Sequence, residues 1–471
     1  MGRSHRSTTY EDLLVQGLSN KGEGVAKTPE GKVIFVAGTV PGDRIHCSTF
    51  KKRKGVFFAR LNEVVVPSPH RIDPVCSHFG VCGGCKLQHM DYTAQLEHKQ
   101  LEVLQNLKKI AGVTPAHTAP IVGAPNPYWY RNKMEYSFSN NRWLTAEEIN
   151  TAATVSKNGL GFHKPGMWDK IVNIDRCHLQ TDPANAIRNF IRAYAEKQQL
   201  AFFDPRAQKG FLRTLMLRNT ADAKFMVLLQ FYEEQEQART ALLDALVAEF
   251  PKITSLLYCI NNKGNDTIYD QDIHCYHGAP YLNAQLENIQ YKITAKSFFQ
   301  TNYEQALALY THTRSLAALK PTDVVYDLYT GTGSIALFLA AYCKKIVGVE
   351  AVEEAVVAAR ENAAQNNITN TVFESGDMRH CFNADFIARH GKADVVVTDP
   401  PRDGMHPKVV AQLLQLAPKK IVYVSCNSAT QARDLALLKK DYHLKHAQAV
   451  DMFPQTHHIE NIVLLERQWP P

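Results

Sequence analysis

The chain has 471 residues, 45% hydrophobic and 21% charged, with a formal net charge of +7. That composition excludes a fibrous or disordered protein and supplies enough apolar side chains for two to four domains. The opening stretch Met1–Tyr10 lacks the apolar core of a secretory leader, and the longest apolar run, Ile335 to Cys343, is too short to span a bilayer. A cytoplasmic enzyme with no membrane partner, acting as a monomer, is therefore expected. Charge is uneven: residues 1–75 hold 12 Lys and Arg against 7 Asp and Glu, including the run Lys51-Lys52-Arg53-Lys54. A basic front end points to a polyanionic partner.

In chain order, residues 8–67 read as short strands (Leu13–Gln16, Lys32–Val36, Asp43–Phe50, Val56–Val66) punctuated by Gly22-Glu-Gly24, Pro29-Glu-Gly31 and Pro41-Gly42. Several short strands in sixty residues predict a small barrel of OB type, a shape that binds single-stranded nucleic acid along one face. Pro67-Ser-Pro69 marks a boundary, and a cysteine-rich loop, 74–89, follows it. Leu96, Leu101, Leu104 and Leu107 recur at near-helical spacing and predict an amphipathic helix over Tyr92–Ile110. Residues 68–286 form a central α/β region, with strands at Lys224–Tyr232 and Ser255–Ile260 and a helix at Ala238–Glu249. From 287 to 471 strands and helices alternate. Strands are expected at Val324–Leu328, Lys345–Glu350, Thr371–Phe373, Ala393–Thr398, Ile421–Ser425 and Asn461–Glu466, and helices at Ser334–Tyr342 and Val352–Gln365. That alternation predicts a mainly parallel, doubly wound sheet.

Asp327-Leu-Tyr-Thr-Gly-Thr-Gly-Ser334 lies between a strand and a helix, where glycines let a ligand approach the backbone. Gly331-x-Gly333-x-x-Ala336 also fits a dinucleotide fingerprint, and Glu350 ends the next strand, placed to hold ribose hydroxyls. The later strand ends separate the readings. Asp377 follows the third strand and Asp399-Pro-Pro-Arg402 the fourth, so with Asp327 and Glu350 four acids line the carboxyl edge of the sheet. This ordered set resembles class I S-adenosylmethionine methyltransferases.

Val424-Ser-Cys426-Asn-Ser-Ala429 follows a strand at the same edge, and Asp451-Met-Phe-Pro-Gln-Thr-His-His-Ile-Glu460 leads into the last one. A cysteine and a carboxylate there match one chemistry. Uracil C5 is a weak nucleophile until a thiolate adds at C6; C5 then takes a methyl group, and a base removes its proton so that the thiolate can leave. Together with Phe298-Phe-Gln-Thr-Asn302, these motifs resemble the RNA 5-methyluridine methyltransferases over residues 8–466. The resemblance implies Cys426 as nucleophile, Glu460 as base, and Gln300, Tyr329, Glu350, Asp377 and Asp399 around the S-adenosylmethionine. The chain departs from common members at Thr330, where a Cys is frequent, at Ser334, where Asn is frequent, and at Asn427-Ser428, where Asn-Pro is usual. His457 and His458 read as packing or solvent-facing residues.

Ten cysteines in a chain without a leader argue against a disulfide framework. Cys76-x5-Cys82-Gly-Gly-Cys85 is followed much later by Cys177, and four thiolates suit zinc or an iron–sulfur cluster. With Leu87-Gln-His89 after it, the pattern resembles the [4Fe–4S] members of the same family, which implies that cluster on Cys76, Cys82, Cys85 and Cys177. By the same resemblance the front barrel is a TRAM domain, and the helix at 92–110 packs on the catalytic domain. The resemblance also implies that the substrate is RNA, ribosomal RNA in preference to transfer RNA. A buried target uridine must flip out of its stack, and Tyr128-Trp-Tyr-Arg-Asn-Lys133 offers aromatics and cations to receive the RNA. Three rival readings are an exocyclic-amine methyltransferase, a nicotinamide dehydrogenase and an RNA-binding protein without activity. The first two leave Cys426 unexplained, and the third leaves Cys426 and Glu460 idle.

Overall fold

The computed structural model describes residues 7–151 and 155–468; the first six residues, part of the stretch read for a leader, lie outside this range. Strands Thr9–Leu18, Gly24–Lys27, Val33–Val36, Arg44–Arg53 and Val56–Val66 close into a five-stranded barrel. Its inner face is the alternating set Leu13, Val15, Ile34, Val36, Ile45, Cys47, Phe57 and Ala59. Closure leaves no sheet edge open. Buried Asp43 accepts from the backbone of Val40 and Ser68 and pairs with Arg71, which ties the barrel to the segment that leaves it.

The central part is a seven-stranded sheet in the order His274–Gly278, Ile253–Ile260, Phe225–Phe231, Leu212–Asn219, Lys133–Ser139, Gly159–Lys164 and Met167–Asn173. Helices Ala184–Lys197 and Glu236–Glu249 seal one face through Ile187, Ile191, Leu242 and Leu246. The middle strands are covered on both faces, so every residue of Leu212–Asn219 and Phe225–Phe231 is buried.

The third part is an eight-stranded sheet. Thr371–Ser375, Lys345–Glu350, Val324–Leu328, Val395–Thr398 and Lys420–Ser425 run parallel in that spatial order. Glu460–Arg467 and Tyr442–Val450 follow antiparallel. Val324–Leu328 pairs with the next strand in sequence on one side and with Val395–Thr398 on the other, so the order reverses there and a crevice opens at the carboxyl ends.

The expected helix over 92–110 is α-helical at Tyr92–Asn106, widens into a π turn at Leu107–Ala111 and stops at Gly112 (φ 64°). It packs on the third sheet, sharing a core with Val409, Leu413 and Leu435 through Val103 and Leu107. The chain then supplies something the sequence did not announce: His117–Thr118 pairs with Tyr442–Val450 as the outermost strand of that sheet. Among the described residues, no helix is long and apolar enough to cross a membrane.

Candidate active site

The glycine loop sits on the crevice as expected. Tyr329, Gly331 and Gly333 all have positive φ (61°, 55° and 79°), the left-handed backbone that glycine adopts most readily, and Gly333 N–H closes the turn on the Thr330 carbonyl (2.9 Å). A Cβ on Gly331 would meet nothing within 4 Å, whereas one on Gly333 would sit 3.0 Å from the Phe373 ring and 3.1 Å from Ala359. Gly331 therefore faces open space and Gly333 allows the loop to seat on the sheet. Glu350 fastens the loop by accepting from Gly331 N–H (3.1 Å), and its other oxygen accepts from Ala351 and Val352.

The other acids divide into two kinds. Asp327 is fully internal: it accepts from Thr330 Oγ1 (2.5 Å), and burial pushes its carboxyl up to about 7. Thr330, a small departure from the commoner cysteine, is thus a donor that holds this buried acid. Asp377 caps the short helix Met378–Cys381, and its carboxylate, held well below its usual range by the Arg379 guanidinium, is engaged bidentately by that residue. Asp399 ends Val395–Thr398, and its carboxyl is pushed up to about 7, first by burial and then by Asp327. Gln300 is buried in the loop before Tyr303–Ala317, where its carbonyl accepts from Asn132 Nδ2 (2.9 Å). The Phe298 carbonyl in the same loop accepts from Thr332, bringing that segment against the glycine loop.

Cys426 and Glu460 lie at the ends of neighbouring strands. Lys420–Ser425 and Glu460–Arg467 pair antiparallel with Ser425 opposite Asn461; Cys426 follows the last residue of this ladder on one strand and Glu460, itself paired with Val450, precedes it on the other. Glu460 is 4% exposed, and its carboxyl is raised well above the usual range by burial first and then by Asp399. The Cys426 thiol is pushed up to about 12 by burial, with Glu460 and Asp399 adding to it and Arg402 opposing. Arg402 also lowers Glu460. Its carbonyl is pinned by Asn427 Nδ2 and Thr430 Oγ1 (both 3.0 Å), so the Asp399-Pro-Pro-Arg402 turn is bolted to the helix that follows Cys426. Sequence reading gives Arg402 no part in the site; the fold brings its charge near both Cys426 and Glu460. His457 and His458 lie 4.1 Å apart with their rings tilted at 43°, and burial pushes them down to about 4 and about 3, so they are neutral imidazoles at physiological pH.

Cys76, Cys82, Cys85 and Cys177 lie on the wall of one cavity of about 530 Å³. Burial raises all four thiols, Cys82 to about 11 and Cys85 to about 12, and the four interact electrostatically. Gly84 N–H donates to Cys82 Sγ (3.4 Å), a bond that favours thiolate sulfur. Among the described residues no three potential ligands already stand in metal-binding geometry. The donor set itself, four soft sulfurs on one sheltered wall, fits an iron–sulfur centre.

The same cavity is also lined by Arg131, Lys133, Arg176 and Arg218 together with Phe298 (66% exposed) and Tyr269 (71% exposed). Arg218 is buried and pushed down to about 10 by that burial; it donates to Ser297 O, but its Nε has no partner. The segment Tyr128–Lys133 is split in its duties. Tyr130 and Asn132 are buried, and Tyr130 OH donates to Pro454 O, whereas Arg131 and Lys133 reach the cavity. Trp129 lies 5.1 Å from the His178 ring at a tilt of 52°, with Arg176 over its own ring.

A glycine loop, a parallel sheet with reversed order and acidic strand ends define an S-adenosylmethionine-dependent methyltransferase of Rossmann-like type, here behind an N-terminal barrel. Comparison with known proteins narrows this. Residues 230–468 match the tRNA (uracil-5-)-methyltransferase family, and residues 8–61 match the TRAM domain. An uncharacterized RNA methyltransferase of Porphyromonas gingivalis is 46% identical over 97% of this chain and 99% of its own length. One from Bacteroides thetaiotaomicron is 44% identical over 95% of this chain and 100% of its own. The crystal structure of Pyrococcus abyssi tRNA (uracil-54, C5)-methyltransferase with S-adenosyl-L-homocysteine superposes with a TM-score of 0.75 at 28% identity, covering 96% of this chain and 99% of that one. The chain belongs to the S-adenosylmethionine-dependent RNA (uracil-5-)-methyltransferase family.

Proposed function

We propose that this chain methylates C5 of a uridine in RNA, with Cys426 as nucleophile and Glu460 as base. The observation that carries the reading is that Cys426 and Glu460, at the ends of two paired strands, interact electrostatically with each other and with Asp399. S-adenosylmethionine, when bound, supplies an electrophilic methyl group. Cys426 Sγ adds to uracil C6, and the electron pair of the C5–C6 double bond moves toward C5 and the O4 enolate. C5 takes the methyl group. Glu460 then removes the C5 proton, the double bond re-forms, and the C6–S bond breaks to return the thiolate. Arg402 opposes the acids that disfavour the thiolate. Glu350, Tyr329, Gln300 and Asp399 would hold the methyl donor; Asp377 would contribute only by sharing the carboxylate that Arg379 now holds.

Cys76, Cys82, Cys85 and Cys177 would hold a [4Fe–4S] cluster that braces loop 74–89 against the central sheet and takes no part in methyl transfer. Protein purified without oxygen is expected to contain about four irons and four sulfides per chain. Cys177→Ser should lose them, and colourless, metal-free wild type would count against the cluster.

The substrate reading favours ribosomal RNA, on the resemblance of the cysteine pattern to iron–sulfur members. Transfer RNA, on which the Pyrococcus abyssi (uracil-54, C5)-methyltransferase acts, is the alternative. Mapping 5-methyluridine in both RNAs from host cells lacking this chain decides the matter. Loss of a ribosomal site with transfer RNA unchanged supports the reading, and the reverse result overturns it. The cationic cavity wall is the RNA's electrostatic seat in this proposal. Arg176→Ala and Lys133→Met should each reduce the slope of log binding constant against log salt by about 0.7, the share of one phosphate contact on a single strand. Unchanged slopes would move the RNA path elsewhere.

A further inference from the structure

Glu460 is delivered by the loop 451–459, and that loop is held almost entirely by parts of the chain far away in sequence. Lys99 Nζ donates to Asp451 Oδ1 (2.6 Å) and to the Phe453 carbonyl (3.2 Å). Tyr92 OH donates to the other Asp451 oxygen (2.9 Å). One turn along the same helix, Gln95 accepts from Gln455 N–H and donates to Gln455 Oε1 (3.2 and 3.1 Å). Lys86 and Leu87 N–H, immediately after Cys85, donate to the Gln455 carbonyl. Gln455 itself has φ 67°, a left-handed kink that needs such support.

The Lys99–Asp451 pair is completely internal, at 3% and 0% side-chain exposure. A buried ion pair is a poor way to gain stability, because desolvating both charges offsets their attraction and a well-packed apolar pair does as well or better. What the ammonium does that an apolar group cannot is hold two points of the loop together: the carboxylate at 451 and the carbonyl at 453. We propose that Lys99 is a positioning residue for the deprotonation of C5, fixing the loop so that Glu460 stands over the proton it must take. The proposal rests on Glu460 being the base.

It makes a step-specific prediction. Substrate RNA tritiated at uridine C5 is mixed with full-length enzyme and methyl-labelled S-adenosylmethionine in a single turnover. Methyl incorporation and tritium release are then timed. In the wild type, release follows incorporation closely. In Lys99→Met, incorporation should stay within about threefold while release slows on the order of 100-fold, the cost of an ångström-scale misplacement. A methylated protein–RNA adduct therefore accumulates, with KM for RNA unchanged. Both rates come from the same active molecules, so partial loss of folded protein scales them equally. Lys99→Met/Asp451→Asn leaves no unpaired buried charge and should show the same delay, carrying the test if the single variant does not fold. Lys99→Arg should recover most of the release rate. Equal slowing of both steps, or no delay, overturns the proposal and leaves Lys99 a structural residue. Glu460→Gln separates the two ideas. If it too shows no delay, the base assignment fails and this proposal with it. If it delays release and the Lys99 variants do not, only the positioning role falls.

Discussion

Cys426→Ala is expected to lose methylation by at least about 10⁴-fold, the scale seen when a covalent nucleophile is removed. It should form no covalent complex with RNA carrying 5-fluorouridine, whereas the wild type does so in the presence of S-adenosylmethionine. The reason is electronic. Uracil C5 does not attack a methyl group at a useful rate until a nucleophile sits on C6, and Cys426 directly follows the strand that pairs with the one beginning at Glu460. Fluorine at C5 cannot leave as a proton does, so an enzyme that has added and methylated is trapped. An alanine protein that still forms the adduct, or still makes 5-methyluridine, would remove Cys426 from the mechanism. Burial pushes the thiol up to about 12, so at neutral pH the sulfur carries its proton. The thiolate fraction rises tenfold per pH unit below that value, so adduct formation in single turnover should accelerate as pH increases from 7 to 9. An opposite slope would mean that another group limits the step.

Glu460→Gln should separate the chemistry into halves. Addition and methyl transfer need no base at C5 and should proceed. Proton removal should slow by about 10² to 10⁴-fold, so a methylated complex accumulates on ordinary RNA and turnover falls by the same factor. Denaturing gels with labelled methyl donor report it directly. The raised Glu460 carboxyl has a bearing here. Burial and the neighbouring Asp399 make it a stronger base than an exposed glutamate, suited to a weakly acidic C–H, while Arg402 works against this shift. If Glu460→Gln turns over normally, the proton leaves by another route.

Much of the third sheet was legible because its parallel strands are short apolar runs that end in recognisable motifs. Val324–Leu328, Val395–Thr398 and Lys420–Ser425 each run into a motif: Asp327 and the glycine loop, Asp399-Pro-Pro, Cys426. Leu212–Asn219 was not legible. Arg213 and Arg218 break its apolar pattern, yet both are buried: Arg213 lies over the rings of Phe203 and Tyr232 (5.0 and 5.4 Å) and Arg218 donates to Ser297 O. A cation satisfied by rings and carbonyls from other segments cannot be told from a solvated one by spacing. Lys99 is the same case at the site. It looks like one more polar residue on a helix, and its partner Asp451 is 352 positions away. Asp377 shows the converse: its place at the strand end was readable, but its bidentate engagement by Arg379, two residues on, decides what its carboxylate is free to do.

The strand His117–Thr118 and the helix before it have a consequence for how such a protein can be divided. They are made by the ribosome more than 300 residues before the strand they cover, and they return to it only after the whole central sheet has been spanned. Expressing 230–468 by itself would strip Tyr442–Val450 of its outer neighbour and leave Asp451 without its cation. Expressing the front half by itself would leave Val103 and Leu107 with nothing to cover. The gene can be cut between these regions, but the catalytic unit cannot: it is stitched from both ends of the chain. Exchange of the barrel or central sheet between relatives must therefore carry the 86–122 segment that matches its own catalytic loop.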